Sequence, residues 1–529
     1  MSLSPHRNFL RWPVGLLFLL AVATGTSAAR PEIFPGLGKK WHYYHSPHFE
    51  MYSESSDYES REVLGHMELL RAVFLDSFKL TARVAQPVTI FYFDSNRDFH
   101  GYWPPEYAQN ANLAGFCENQ TDRTVISLAP TDGDAGRRTV YHEYIHYLFR
   151  IAELTPPPWY NEGMAELFST LEEDYGEVIM GLPIESSILE LRQKELIPLG
   201  QLFAITHDSA VFKDSDHAGL FYAESWAFLH YCYYGLAGLP RDRLEQFRRL
   251  AGQGQTPDHP ELLRQACREL LGYDYPQLEE KLKRYIVAGH FNQNKLARPR
   301  TEDPGTYLVR PVPPGEMLVR LAELSCRITR GGLARLTLLR AQDKNPADAR
   351  LREVLGNDAW LDGDRELARE RWNQAIDLGS TNPAIYRELG ELEAERWLGQ
   401  FDVYFRLPEK EVTLLRTLLQ RSIDCAPAQS SAYEIMAWVE ATAAKPSLAN
   451  INLVQRHLGT LNDQPHTLLA LAWSWARLKD RAAALQMLDQ VDRLQPSVRV
   501  AQVASIIRAT LENNAGPVAV IPTAKTGAK

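Results

Sequence analysis

The stretch Tyr141-His142-Glu143-Tyr144-Ile145-His146-Tyr147 reads H-E-x-x-H, and Asn161-Glu162-Gly163-Met164-Ala165-Glu166 follows it. On a helix, residues i and i+4 lie one turn apart on the same face, so the imidazoles of His142 and His146 can converge on one cation. Glu143 stands beside the first histidine, where its carboxylate can take a proton from a metal-bound water. Glu162 supplies a third donor, and a His2Glu set leaves one position open for water. Such a donor set favours zinc. Glu166, one turn beyond Glu162, is spaced to bond the outer ring nitrogen of a ligand histidine and fix its tautomer.

Two helices must carry these residues. Val140, Tyr141, Ile145, Leu148 and Phe149 surround the triplet, so much of the first helix is expected to be buried. Two histidines and a glutamate in an apolar helix cost desolvation energy unless something satisfies them, and a metal does so. Pro156, Pro157 and Pro158 form a stiff approach to the second helix and favour its start, with Trp159 and Tyr160 as anchors. Upstream, Phe49–Ser53 reads as a strand, and Val63, Met67, Leu70, Phe74 and Phe78 trace an amphipathic helix over residues 58–80. Residues 87–93 form a β-branched and aromatic run typical of a buried strand. Residues 114–117 and Thr124–Leu128 flank a polar run and read as a hairpin, and Asp132-Gly133-Asp134 breaks the chain before the metal helix. Residues 186–296 look mainly helical.

The segments H-E-Y-I-H and P-W-Y-N-E-G-M-A-E resemble the gluzincin class of zinc metallopeptidases, and most of all the bacterial peptidase-MA-like domains of unknown function. The resemblance covers roughly residues 40 to 295. It implies an α+β metallopeptidase domain with a thermolysin-like catalytic core, in which His142, His146 and Glu162 bind Zn2+ and Glu143 is the general base. It also implies that the hairpin lies beside the metal, where an edge strand pairs with extended peptide substrate. Gly115-Phe116-Cys117-Glu118-Asn119 faintly resembles the G-A-M-E-N sequence of aminopeptidases, whose glutamate binds the substrate's free amine, although an ordinary hairpin turn is the preferred reading. Tyr222 lies in a Y-x-x-S-W segment similar to a helix that packs under the site in the resembling domains. Its hydroxyl is a candidate oxyanion stabiliser. The simpler reading of Tyr222, Trp226, Leu229 and Tyr233 is an aromatic core stripe.

The chain has 529 residues, more than one core usually supports. Its 45% hydrophobic and 23% charged residues are ordinary for a soluble globular protein, and a net charge of −9 leaves no basic footprint for nucleic acid. Residues 1–29 read as a signal peptide: Arg7 and Arg11, a short apolar run from Trp12 to Ala23, then small residues at 26–29. Export to the periplasm or outside the cell is therefore expected, with no stable membrane span after cleavage. Cys117, Cys232, Cys267, Cys326 and Cys425 are scattered and odd in number, which excludes a disulfide scaffold.

Beyond residue 296 the texture changes. Residues 297–315 hold five prolines and read as a stiff linker. Residues 316–512 carry recurring helix pairs, clearest at Leu355-Gly356, Ala359, Gly363, Ala368, Trp372, Ala375 and Pro383, where small residues let two helices cross closely. That is the tetratricopeptide pattern and predicts an all-α tetratricopeptide-like solenoid with a surface for a protein partner. Residues 513–529 read as a disordered tail. With the resemblance, these readings predict that residues 30–296 form a metallopeptidase domain that hydrolyses peptides or proteins through a metal-activated water. The alternatives are an aminopeptidase of the same class, or an inactive protein-binding module built on that fold.

Overall fold

The structure is a computed structural model. It describes residues 34–513 apart from 81–87, 105–114, 120–122, 131–134, 153, 155, 207–208, 210–214, 237–238, 253–259, 330, 399–404, 426–429, 462 and 495–496. The expected signal peptide lies outside the described residues, as does the tail after residue 513. The described chain forms two compact units, divided between residues 346 and 347.

The first unit opens with β1 (His42–His45) and β2 (Phe49–Ser53), then α1 (Asp57–Phe78), β3 (Val88–Tyr92) and the short α2 (Asn96–His100). A capping box between Ser56 and Glu59 starts α1, each side chain bonding the other's backbone N–H. α1 is the crossover that lets β2 and β3 run parallel. All five residues of β3 are buried, as its β-branched and aromatic composition requires. β4 (Gly115–Asn119) and β5 (Thr124–Leu128) form the expected hairpin. Among the described residues the sheet order is β4-β5-β3-β2-β1 and then a ninth strand, which leaves β4 at an edge.

Next come α3 (Ala135–Ile151) and α4 (Pro158–Ser169). Pro157 caps α4 and Pro158 occupies its first turn, where a missing N–H leaves no bond unmade. Phe74 of α1 packs edge-on to Phe149 of α3 and Phe168 of α4, at 5.0 and 5.5 Å between ring centroids. Phe49 of β2 meets Tyr144 of α3 at 5.3 Å. These aromatic contacts fix both site helices to the sheet and to each other. Then follow β6 (Glu172–Asp174), β7 (Glu177–Met180), α5 (Glu185–Gln193), α6 (Leu199–Leu202), α7 (Ser215–His230), α8 (Arg241–Gly252), α9 (Pro260–Ala266) and α10 (Tyr275–Ala288). Trp159, at the start of α4, is fully buried against Phe203, Phe228 and Phe247 of this helical half.

Residues 297–315 are not a free linker. β8 (Asn294–Ala297) joins β6 and β7 in a small second sheet. β9 (Leu308–Pro311) pairs antiparallel with β1, from His42↔Pro311 to His45↔Leu308, and becomes the far edge of the main sheet. Proline composition suggested a spacer, but Pro311 closes an edge strand, where a lost donor is tolerated. The boundary moves accordingly. α11 (Pro314–Thr329) and α12 (Gly332–Lys344) belong to the first unit, so the helical unit starts near residue 347 rather than 316.

The second unit is all helix: α13 (Ala349–Leu361), α14 (Arg365–Asp377), α15 (Pro383–Leu398), α16 (Glu409–Cys425), α17 (Ser430–Thr442), α18 (Leu448–His457), α19 (Gln464–Arg477), α20 (Arg481–Arg493) and α21 (Val498–Asn513). Each packs against its neighbours in sequence, the arrangement of stacked helical repeats. Asp348, Asp364, Asp463 and Asp480 cap α13, α14, α19 and α20 through their side chains. Gly356 makes room for Trp372 across the α13–α14 hairpin, since a Cβ there would lie 2.3 Å from the indole. Gly363 turns the pair with φ +83°.

Candidate metal centre

α3 presents His142 and His146 one turn apart, and α4 brings Glu162 up to them. The two Nε2 atoms are 3.0 Å apart. Glu162 Oε2 lies 3.2 Å from the first and 3.3 Å from the second. These three atoms form a near-equilateral triangle. A tetrahedral ion about 2.0–2.1 Å from each donor would hold its donors about 3.3–3.4 Å apart, so the triangle has the size such an ion requires. Among the described residues, this is the group of His, Cys, Asp and Glu side chains that could hold a metal ion.

The electrostatics fit a site built around positive charge. Burial disfavours an ionised Glu162, but hydrogen bonds from His142 and His146 outweigh it and hold the carboxyl down at about 2. Burial likewise disfavours a charged His142, yet Glu162 and Glu166 together lift it well above its ordinary value. The His142 ring is thus held between two carboxylates, Glu162 at Nε2 and Glu166 at Nδ1.

Glu166 Oε1 lies 3.2 Å from His142 Nδ1, the outer ring nitrogen. Its other oxygen takes Arg138 Nη2 at 3.2 Å. Burial raises Glu166, and the His142 bond and the nearby charges of His142 and Arg138 bring it below the usual carboxylate range. On the opposite side, Asn161 Oδ1 lies 3.2 Å from His146 Nδ1, which sets Nε2 toward Glu162. Sequence reasoning missed Asn161 and Arg138. Asn161 sits beside Glu162, and Arg138 precedes His142 by one turn, but nothing in the sequence chooses Arg138 over Arg137. Arg137 instead pairs with Glu172 and lies over the Tyr141 ring.

Glu143 is partly buried on the next position of α3. Burial raises the Cys117 thiol on β4, and the charge of Glu143 raises it further. α3 packs directly on that edge strand. Gly115 permits the approach: a Cβ there would lie 2.5 Å from Val140. Strand alternation puts Cys117 on the same face as Gly115 and Glu118 on the other, with Phe116, which stacks on Phe99 at 5.8 Å. Tyr222 of α7 stands edge-on to His142 with ring centroids 6.2 Å apart.

No family model matches the chain, and a search of the curated proteins finds no match. Among solved structures the chain is similar to a TPR protein with an unusual peptide-binding site, at 17% identity over 36% of this chain and 90% of that one, with a TM-score of 0.27. It is similar to PilF of Pseudomonas aeruginosa at 13% identity over 51% and 99%, TM-score 0.24. A thermophilic TPR protein of Thermus thermophilus aligns at 17% identity over 37% and 98%, TM-score 0.20. Superpositions this loose carry no argument; the reading of residues 347–513 as helical repeats rests on their own helix packing. Among the described residues, no helix is long and apolar enough to cross a membrane.

Proposed function

We propose that the first unit is a zinc-dependent metallopeptidase of gluzincin type that hydrolyses peptide bonds, and that the helical unit binds substrate protein or a partner. One observation carries this reading: Glu162, from a separate helix, completes with His142 and His146 a donor triangle of tetrahedral dimensions. When bound there, zinc would supply a Lewis acid that acidifies a water and polarises a carbonyl.

The chain's own residues account for the rest. Glu143 takes the proton of the attacking water and returns it to the leaving amine, so no nucleophilic serine or cysteine is required. The Tyr222 hydroxyl, on a ring beside His142, is the candidate donor to the developing oxyanion. β4, an edge strand in contact with α3, can pair with an extended peptide and bring its scissile bond to Glu143. Glu118 lies on the alternate face of β4 from the one turned to α3, which favours an endopeptidase over an aminopeptidase. The leader-like residues 1–29 support export to the periplasm or beyond.

The test is a casein-type assay on the full chain with and without a chelator. Cleavage abolished by the chelator and restored by zinc supports the reading. Zinc bound without hydrolysis of any peptide in a library favours a binding module on a metallopeptidase scaffold.

A further inference from the structure

The pairing of Arg138 with Glu166 reaches beyond the ligand set. α3 presents Arg138 and His142 on one face, one turn apart, and the Glu166 carboxylate from α4 bridges them, with Oε1 to His142 Nδ1 and Oε2 to Arg138 Nη2, each at 3.2 Å. The guanidinium has a second hold on α4, its Nε donating to Ser169 Oγ at 3.4 Å. Ser169 in turn donates to the Glu166 carbonyl at 2.7 Å. Arg138 thus grips α4 at two points one turn apart, and the Arg138 and Glu166 side chains are both less than a third exposed.

We infer that Arg138 is a positioning residue for the metal centre: it fixes the Glu166 carboxylate so that Glu166 can hold the His142 ring with Nε2 toward the ion. This deepens the reading given above and rests on it. A planar fork with several donors suits the task, because it can bond a carboxylate and a hydroxyl together, whereas a lysine is a single point of charge. The effect must pass through Glu166, since no contact joins Arg138 to His142 directly among those described.

That dependence makes the inference testable by zinc affinity alone. Zinc would be titrated against a chromogenic chelator in full-length wild type, Arg138→Gln, Arg138→Lys, Glu166→Gln and the Arg138→Gln/Glu166→Gln double variant, with circular dichroism checking the fold of each. Loss of such an outer partner weakens metal binding by about 10- to 100-fold. The expected result is that Arg138→Gln and Glu166→Gln each fall in that range, Arg138→Lys lies between Arg138→Gln and wild type, and the double variant binds no more weakly than Glu166→Gln alone. A folded Arg138→Gln that binds zinc as wild type does overturns the inference, as do losses that add in the double variant, which mark a merely structural effect. Should Arg138→Gln fail to fold, Arg138→Lys decides: unchanged affinity overturns the inference and a partial loss upholds it. Wild type that binds zinc while the variants match it leaves the metallopeptidase reading standing; wild type that binds none overturns both.

Discussion

Gly163 lies so close to Ser225 that a Cβ at position 163 would sit 2.5 Å from the Ser225 carbonyl oxygen. The contact is backbone on backbone between α4 and α7, and neither side has a flexible atom to move aside. It sets how far α4 reaches over the site, because Gly163 follows Glu162 directly. Gly163→Ala should push the two helices apart, cost about 1–3 kcal/mol in stability and draw Glu162 off the histidine pair. Urea unfolding and zinc titration would measure both losses; a variant as stable as wild type with unchanged affinity would show that the helices have slack there.

On the proposed mechanism, Glu143→Gln removes the proton acceptor and leaves the donor triangle intact. The variant should keep its zinc while hydrolysis falls by about 10²–10⁴-fold. Metal content measured beside casein cleavage checks this, and a variant that cleaves at the wild-type rate would exclude Glu143 as the base.

Glu224 on α7 gives stability a pH dependence. It is fully buried and accepts the Ile197 N–H at 2.7 Å through one oxygen, while the other has no hydrogen-bond partner among the described residues. Burial pushes it up to about 8 against an ordinary value near 4.5; the Ile197 bond opposes this and the charge of Glu279 adds to it. The folded state therefore binds this proton more tightly than the unfolded chain. Its contribution is fully present below about pH 4.5 and is lost as pH rises through 8. At about 1.4 kcal/mol per pH unit, the loss amounts to a few kcal/mol. Urea unfolding at pH 5.5 and 8.5 should show wild type weakening at the higher pH and Glu224→Gln weakening less. Equal losses in the two proteins would contradict the assignment.

In the helical unit, Gly356→Ala would drive a methyl into the Trp372 indole, which is fully buried. The α13–α14 hairpin should lose about 1–3 kcal/mol, with zinc affinity unchanged. Thermal unfolding followed at Trp372 would detect the loss, and an unshifted transition would mean that the hairpin repacks freely.

The elements that carry the candidate site were legible because their signals are local. H-E-x-x-H needs only helical spacing to join His142 with His146, and Pro157-Pro158 announces the start of α4. The three donors were readable, Glu162 included, but their spacing was not, since it depends on the packing of Phe74, Phe149 and Phe168 and on the close approach of Gly163 to Ser225. Arg138 and Asn161 were missed for the same reason: their partners lie on another helix, at distances no spacing rule encodes. β9 was mistaken for part of a linker because it pairs with β1, more than 250 residues away in the chain, and its prolines mask the strand pattern. Gly356 and Trp372, by contrast, were readable as a close helix crossing because they belong to one hairpin.

The proposed metal centre depends most directly on Glu162. Zinc content should be measured by atomic absorption on purified full-length wild type and Glu162→Gln, after dialysis against a weak chelator. Wild type is expected to retain a single zinc ion per chain and the folded variant to lose it. A wild type that holds no zinc, or a Glu162→Gln variant that holds it as firmly, would contradict the metal centre and the hydrolase built on it.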